Sequence, residues 1–140
     1  MSAPTDRFRY RRLVEVRFRD IDEMGHAHHT LPLIYIEEAR TSYWREVLGR
    51  PELDFIMGEV GVRFHQRIRH PSTVSVAVRT TRLGGRSFAM EYEIRAAAGE
   101  LLADGWSESV MYDYAGARSK SIDDDMRARV KAYEPVTPEE

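Results

Sequence analysis

The sequence predicts one α+β domain, in which one long helix lies on one face of an antiparallel sheet. Apolar residues recur at helical spacing over residues 33–48. Five other stretches alternate apolar and polar residues with the period of half-buried strands. The last four of these strands follow one another across short turns, which favours antiparallel pairing and a helix segregated onto one face.

Length and composition limit the classes of protein that the chain can be. A chain of 140 residues suits a single core, which we place at residues 1–134 and follow with a flexible acidic tail at 135–140. The net charge of −2 gives no electrostatic reason to expect a nucleic-acid partner. The absence of cysteine excludes thiol catalysis and fits a cytoplasmic protein. No apolar run has the length of a membrane span, so we expect no membrane partner.

The first predicted strand covers Phe8 to Arg19, where Val14 and Val16 alternate with charged residues. The alternation stops at Asp20, and the stretch up to Thr30 is predicted to be a loop. A sheet strand therefore leads directly into a polar loop, which in turn leads into the long helix.

The long helix is predicted from Leu33 to Leu48. Thr30 is a candidate N-cap, and Pro32 suits the first turn because its missing N–H costs nothing there. Gly49 is the expected C-cap, and Pro51 prevents the helix from continuing. Apolar residues cover most of the circumference of this helix, so we expect it to be buried and wrapped by the sheet.

The second half of the chain is predicted to contain four strands and a short helix. The pair Gly84-Gly85 is the clearest hairpin signal. Ser121 and Asp124 have the spacing of a capping box before a helix over Asp123 to Tyr133. The four strands are predicted at Val60 to Ile68, Thr73 to Thr81, Ser87 to Ala96 and Leu101 to Tyr112.

The loop before the long helix concentrates polar chemistry, with two aspartates, one glycine and three histidines between Asp20 and His29. Backbone N–H groups at a helix start lack intrahelical partners, and the helix dipole favours negative charge there. A carboxylate beside such an end can attack a carbonyl, or direct water at it, while the N–H groups hold the carbonyl oxygen. An ordinary capping role for both aspartates is the alternative.

The residues of this loop and of the helix resemble those of a known family. The loop has the pattern Asp20-x-Asp22-x-x-Gly25-His26, and the helix has Tyr35-x-Glu37-x-Ala39-Arg40. Together they resemble the pattern of the hotdog-fold acyl-CoA thioesterases, nearest to the 4-hydroxybenzoyl-CoA thioesterase-like group. Many relatives have Asn-Asn and Tyr where this chain has His28, His29 and Pro32, which alters the mouth of the pocket.

The resemblance implies a fold, an assembly and a reaction. The fold is a five-stranded antiparallel sheet wrapped around one long central helix, with a short C-terminal helix. The assembly is a homodimer whose sheets join edge to edge, or a dimer of such dimers forming a homotetramer. The reaction is hydrolysis of an acyl-CoA or acyl carrier protein thioester, with coenzyme A as part of the substrate and no separate cofactor.

The resemblance also implies roles for individual residues. Asp22 is the expected nucleophile or general base, and the backbone N–H near His29 is the expected oxyanion donor. Glu37 is the reserve candidate because a glutamate on this helix is catalytic in some relatives. Gly25 permits the turn into the helix, and His26 fixes the loop beside the substrate.

Basic residues are needed for the phosphates of coenzyme A. The resemblance places one set at the hairpin turn, with Arg82, Arg86 and Ser87 as candidates, and Arg118 and Lys120 after the last strand form a second basic set. A merely solubilising role for basic residues at a hairpin tip is the alternative. The expected apolar wall of the acyl site includes Phe55, Ile56, Met57 and Phe64.

Three other functions compete with hydrolysis. The histidines of the loop invite a metal site, but His-x-His-His supplies too few ligands, so we expect none. The changes at His28, His29 and Pro32 leave open a hotdog module that binds acyl-CoA or acyl carrier protein without turnover. A dehydratase on the same fold ranks last, because no dehydratase-type histidine motif is present.

Overall fold

The computed structural model describes residues 7–140, so residues 1–6 of the domain predicted at 1–134 lie outside the described residues. The predicted α+β class is confirmed, with one long helix, a short C-terminal helix and an antiparallel sheet. The elements in chain order are β1 (Tyr10–Val16), α1 (Leu31–Glu46), β2 (Phe55–Phe64), β3 (Ser72–Leu83), β4 (Ser87–Ala96), β5 (Leu101–Asp113), β6 (Arg118–Ser119) and α2 (Asp124–Tyr133).

The main sheet has the strand order β1-β3-β4-β5-β2, and every neighbouring pair is antiparallel. The five predicted strands are therefore present, and the two-residue β6 is an addition that pairs with β5. Within residues 7–140, β1 and β2 are the two edge strands of this sheet. One edge of β2 therefore has no partner strand within these residues.

The bounds predicted for β2 were wrong at both ends. The strand begins at Phe55 rather than Val60, because the ring of Phe55 packs on Trp44 at a centroid distance of 4.7 Å and joins the core. A bulge between Met57 and Glu59 interrupts the alternation of apolar and polar residues from which the strand was predicted. The strand ends at Phe64 because the next two backbone N–H groups both turn to the carbonyl of Leu102.

Helix α1 starts and ends two residues earlier than the predicted Leu33 to Leu48. Thr30 occupies the N-cap position, but its side chain does not cap the helix. The C-cap is Val47 rather than the predicted Gly49. Gly49 follows two residues later, and its φ of 65° lets the N–H of Arg50 reach the carbonyl of Trp44 at 3.2 Å. This C-terminal turn directs the chain toward β2.

The sheet packs on one face of the helix, and the other face is exposed in the protomer. Leu33 and Ile34 are exposed. The opposite face packs mainly on β1, β3 and β4, and Val60 and Phe64 of β2 remain exposed in one protomer. The buried face consists of Pro32, Tyr35, Ile36, Ala39, Arg40, Tyr43 and Trp44.

The predicted capping pair of α2, Ser121 with Asp124, was also wrong. The N-cap is Asp123, whose Oδ1 accepts the backbone N–H of Met126 at 2.8 Å. The neighbouring Ile122 is buried and fixes the entry of the chain into the helix. The cap therefore falls on the residue that follows the last buried side chain before the helix.

The acidic tail lies along β3, where we expected it to be flexible. The N–H of Glu139 donates to the carbonyl of Thr81 at 2.9 Å, and the N–H of Leu83 donates to the carbonyl of Glu139 at 2.7 Å. Strand β1 covers this edge of β3 only up to Val78. The tail therefore satisfies backbone groups of β3 that β1 leaves unpaired.

Between β1 and the tail, the edge of β3 is closed by a buried carboxylate. Oε2 of Glu134 accepts the backbone N–H of Thr80 at 2.9 Å and the hydroxyl of Tyr43. Burial raises the pKa of Glu134 above its usual 4.5, although these hydrogen bonds oppose the rise. One side chain thus joins α1, β3 and the end of α2.

Glu134→Ala is expected to lower the free energy of unfolding by about 1–3 kcal/mol, because the buried N–H of Thr80 loses its acceptor. Glu134→Gln keeps an acceptor and is expected to lose less. Since folding raises the pKa of Glu134, its contribution to stability falls as pH rises above 4.5, and the glutamine variant should lack that pH dependence. Urea unfolding of the three proteins measures this, and an alanine variant as stable as the parent would contradict it.

Candidate active site

A cavity of about 300 Å³ opens at the N-terminal end of α1. It lies between the loop of residues 20–30 and the segment that follows β2. Three of the predicted site residues, Asp22, His26 and His29, share its wall. The wall is completed by apolar side chains, among them Pro32, Phe64, Ile68, Leu102 and Ala103.

The loop that carries Asp22 is a tight reversal closed by its own backbone. The N–H of Asp22 donates to the carbonyl of His26 at 3.0 Å, and the N–H of Gly25 donates to the carbonyl of Asp22 at 3.1 Å. Ile21 and Ala27 form an isolated antiparallel bridge just outside this turn. Gly25 has a φ of 83°, a conformation that a side chain would disfavour.

Asp20 anchors the loop through buried hydrogen bonds and does not line the cavity. Its side chain is buried, and it accepts hydrogen bonds from the Arg17 N–H at 3.0 Å, the Tyr35 hydroxyl at 2.8 Å and the Arg17 guanidinium at 3.2 Å. Burial opposes its ionisation, but these bonds outweigh burial and hold the pKa of Asp20 below its usual 3.8. Asp20 therefore has a structural role, which was the alternative to a catalytic role for the two aspartates of the loop.

Asp22 combines a local structural role with exposure to the cavity. Its Oδ1 accepts the N–H of Met24 at 2.9 Å, which fixes the side chain on the turn. Within residues 7–140 its Oδ2 makes no hydrogen bond. One carboxylate oxygen is thus engaged in positioning the group, while the other is available to a ligand.

The two departures at His28 and His29 shape the start of α1. Nδ1 of His28 accepts the N–H of Thr30 at 3.3 Å and lies 2.9 Å from the hydroxyl of that residue. His28 therefore fixes Thr30, the residue that precedes the helix. The ring of His29 packs on that of His28 at 4.1 Å. The backbone N–H of His29 donates to no acceptor within the described residues.

Glu37, the reserve catalytic candidate, lies on an exposed part of α1 and does not line the cavity. It does not form the helical pair with Arg40 that its spacing allowed. Arg40 is buried, and its guanidinium points to the hydroxyl of Tyr92 at 3.4 Å. Within one protomer Glu37 and Asp22 therefore occupy separate places.

The basic residues predicted to bind phosphate lie at the other end of the sheet. Ser87 pairs with Val110 of β5, whereas the cavity lies at Leu102. Eight strand residues separate these two positions of β5 (110 − 102), which at about 3.4 Å per residue is roughly 27 Å. One protomer does not bring Arg82, Arg86, Ser87, Arg118 or Lys120 to the cavity.

Several of these basic groups already have partners within the protomer. Arg82 lies 3.5 Å from a carboxylate oxygen of Glu108, and Lys120 lies 2.7 Å from one of Asp54. Arg86 donates to the carbonyl and the hydroxyl oxygen of Ser119, both at 3.0 Å. In an isolated protomer, the surface position and the contacts of these basic residues agree with the alternative that they serve only solubility.

The segment after β2 supplies cavity residues that the sequence did not reveal. His65 and Arg67 line the cavity, and Nε2 of His65 lies 3.1 Å from Asp104. The predicted strand ran to Ile68, which hid the change of direction at His65. The expected acyl wall is corrected in the same way: Phe64 lines the cavity, but Phe55 packs on Trp44 in the core.

Two further features bear on the alternatives. Among residues 7–140, no three His, Cys, Asp or Glu side chains are grouped so that they could hold a metal ion. Neither α1 nor α2 has the length and hydrophobicity of a transmembrane helix.

Comparison with known proteins assigns the class. The model of the thioesterase-like superfamily matches residues 16–130. A thioesterase from Thermus thermophilus, solved with coenzyme A and zinc, is 32% identical over 91% of this chain and 96% of its own, with a TM-score of 0.83. The chain belongs to the thioesterase-like superfamily, and the predicted hydrolase class is confirmed.

More distant structures share the fold. A thioesterase superfamily protein from Jannaschia sp. CCS1 is 20% identical, with a TM-score of 0.85 over 96% of this chain and 88% of that one. The DHNA-CoA thioesterase from Staphylococcus aureus is 21% identical, with a TM-score of 0.78 over 87% and 90%. The search of curated proteins gave no match. The predicted hotdog fold is therefore confirmed.

Tyr35→Phe is expected to lower the free energy of unfolding by about 1.5–3 kcal/mol, because it removes a hydrogen bond to a buried carboxylate. Since folding lowers the pKa of Asp20, its stabilising effect is present above pH 3.8 and is lost as pH falls below that value. The variant should therefore lose less stability than the parent between about pH 6 and pH 3.

Urea unfolding at both pH values tests this expectation. Tyr10→Phe is the matched control, because its hydroxyl bonds Glu46 at 2.9 Å, away from the loop. If Tyr35→Phe and the parent lose the same stability on acidification, the Tyr35 hydroxyl does not set the ionisation of Asp20.

Proposed function

We propose that this protein hydrolyses the thioester of an acyl-CoA to a free acid and a thiol in the cavity at the start of α1. One observation carries the proposal: the unengaged carboxylate oxygen of Asp22 and the unengaged N–H of His29 belong to the same small cavity. The similarity to a thioesterase that was solved with coenzyme A supports an acyl-CoA substrate.

Asp22 acts on the thioester carbonyl carbon in one of two ways. As a nucleophile it forms an acyl anhydride and expels the thiolate, and water then cleaves the anhydride. As a general base it takes a proton from a water molecule that attacks the carbonyl directly. In both routes the carbon–sulfur bond breaks and the thiolate leaves as the thiol after taking up a proton.

The start of α1 stabilises the negative charge that develops on the carbonyl oxygen. The N–H of His29 is the donor, and the positive end of the helix dipole adds to its effect. Gly25 keeps the loop in the conformation that presents Asp22, and His26 forms the adjoining wall beside the substrate. The acyl group lies on the apolar wall formed by Pro32, Phe64, Ile68, Leu102 and Ala103.

We further propose a homodimer in which two β2 strands pair along their free edges. Two apolar side chains of β2 are exposed in one protomer, Val60 at 41% and Phe64 at 57%. An unpaired strand with exposed apolar side chains is a surface that proteins usually cover. A dimer of such dimers is compatible with this pairing.

Asp22→Asn is expected to lower kcat for acyl-CoA hydrolysis by about a hundredfold or more, because an amide cannot act as nucleophile or base. The measurement is steady-state hydrolysis over a panel of acyl-CoAs. Glu23→Gln is the matched control, since Glu23 is an exposed carboxylate of the same loop that does not line the cavity.

Three outcomes would change the assignment. Equal kcat for Asp22→Asn and the parent would remove Asp22 from the mechanism. If Glu37→Gln, and not Asp22→Asn, abolished turnover, the helix glutamate would be the catalytic carboxylate. Binding of acyl-CoA without hydrolysis of any member of the panel would favour the non-catalytic module.

Val60→Asp is expected to convert the dimer into a monomer, because it places a charge where two apolar strands meet. Size-exclusion chromatography with light scattering measures the mass. Val136→Asp, in the exposed tail, is the matched control for the added charge. A parent that is monomeric at micromolar concentration, or a Val60→Asp variant that stays dimeric, would contradict the interface.

A further inference from the structure

A second groove, of about 520 Å³, continues from the active-site cavity across the protein surface. The two spaces share three lining residues, Gln66, Arg67 and Leu102. The groove then runs between the segment that leads into β3 and the turn that joins β4 to β5. A ligand held at Asp22 can therefore extend past Arg67 into this groove without leaving the surface.

The groove carries two arginines whose charge is not neutralised nearby. Arg67 and Arg69 are exposed, and their guanidinium groups form no ion pair within residues 7–140. Glu100 is the one carboxylate that the structure places in the groove wall, so the described lining has a net positive charge. Arg82 and Lys120, in contrast, already face carboxylates.

We propose that Arg67 and Arg69 form the phosphate-binding site for the nucleotide part of coenzyme A. The inference rests on the proposed function and deepens it by assigning residues to the phosphates of coenzyme A. A planar guanidinium can donate two parallel hydrogen bonds to a phosphate, which makes arginine suited to this task. The pantetheine arm then follows the shared wall at Arg67 from the groove to Asp22.

The segment that bears these arginines has a fixed place in the protein. The backbone N–H of Ala27, in the catalytic loop, donates to the carbonyl of Ile68 at 2.7 Å. Ile68 lies between the two arginines, and its own side chain is buried. A direct hydrogen bond therefore joins the segment of the phosphate site to the loop that carries Asp22. It fixes the distance between the two parts of the site that one ligand would occupy.

The test is calorimetric titration of the full-length protein with coenzyme A and with pantetheine, which lacks the phosphates. Arg69→Ala is expected to weaken coenzyme A binding about tenfold, the effect of one lost charge-assisted contact, and to leave pantetheine binding unchanged, because Arg69 lines the groove and not the cavity. Arg69→Lys should retain part of the affinity because it keeps the charge without the paired donors. Arg129→Ala, an exposed arginine of α2, is the matched control.

The outcomes separate this site from the proposed hydrolysis. A parent that binds coenzyme A but hydrolyses no acyl-CoA contradicts the hydrolysis and leaves the phosphate site intact. Equal weakening for coenzyme A and pantetheine, or no weakening for either, overturns the phosphate site. So does selective loss of coenzyme A affinity in Arg86→Ala alone, which would assign the phosphates to the distant hairpin. A parent without affinity for coenzyme A overturns it as well.

Discussion

The hydrogen bond between the Tyr35 hydroxyl and the buried Asp20 carboxylate is the contact on which the site depends. It joins the first turns of α1 to the point where the chain leaves β1. The carbonyl of Asp20 also accepts the N–H of His28 at 3.0 Å, so one residue holds both ends of the loop. Hydrogen bonds within the loop close it between Asp20 and His28. The position of Asp22 relative to the helix start is therefore fixed before a substrate binds.

A second constraint is the partial cover that α1 gives to the sheet. The helix packs mainly on β1, β3 and β4, and the cavity lies where this cover ends, between the helix start and the end of β2. The same gap exposes Phe64 to the cavity and leaves the edge of β2 unpaired within the described residues. Catalysis and assembly are therefore proposed for neighbouring parts of one uncovered surface.

The sequence predicted those features that are periodic or contiguous. Strand β4 was predicted with its correct bounds because it is central and its alternation is unbroken. Asp22, His26 and His29 were predicted to lie together because they belong to one short loop, and all three line the cavity. The start of β2 was missed because the bulge after Met57 breaks the alternation, and Arg67 was missed because strand register and chain reversal bring it to the cavity. The hydrogen bond between His28 and Thr30 was missed because sequence patterns do not show where a ring nitrogen lies.

The most direct test of the account is a crystal structure of the protein with an acyl-CoA analogue whose thioester sulfur is replaced by a methylene group. The account predicts the analogue carbonyl oxygen within hydrogen-bond distance of the His29 N–H, with the carbonyl carbon facing Oδ2 of Asp22. An analogue carbonyl bound beside Glu37, or outside the cavity at the start of α1, would contradict it.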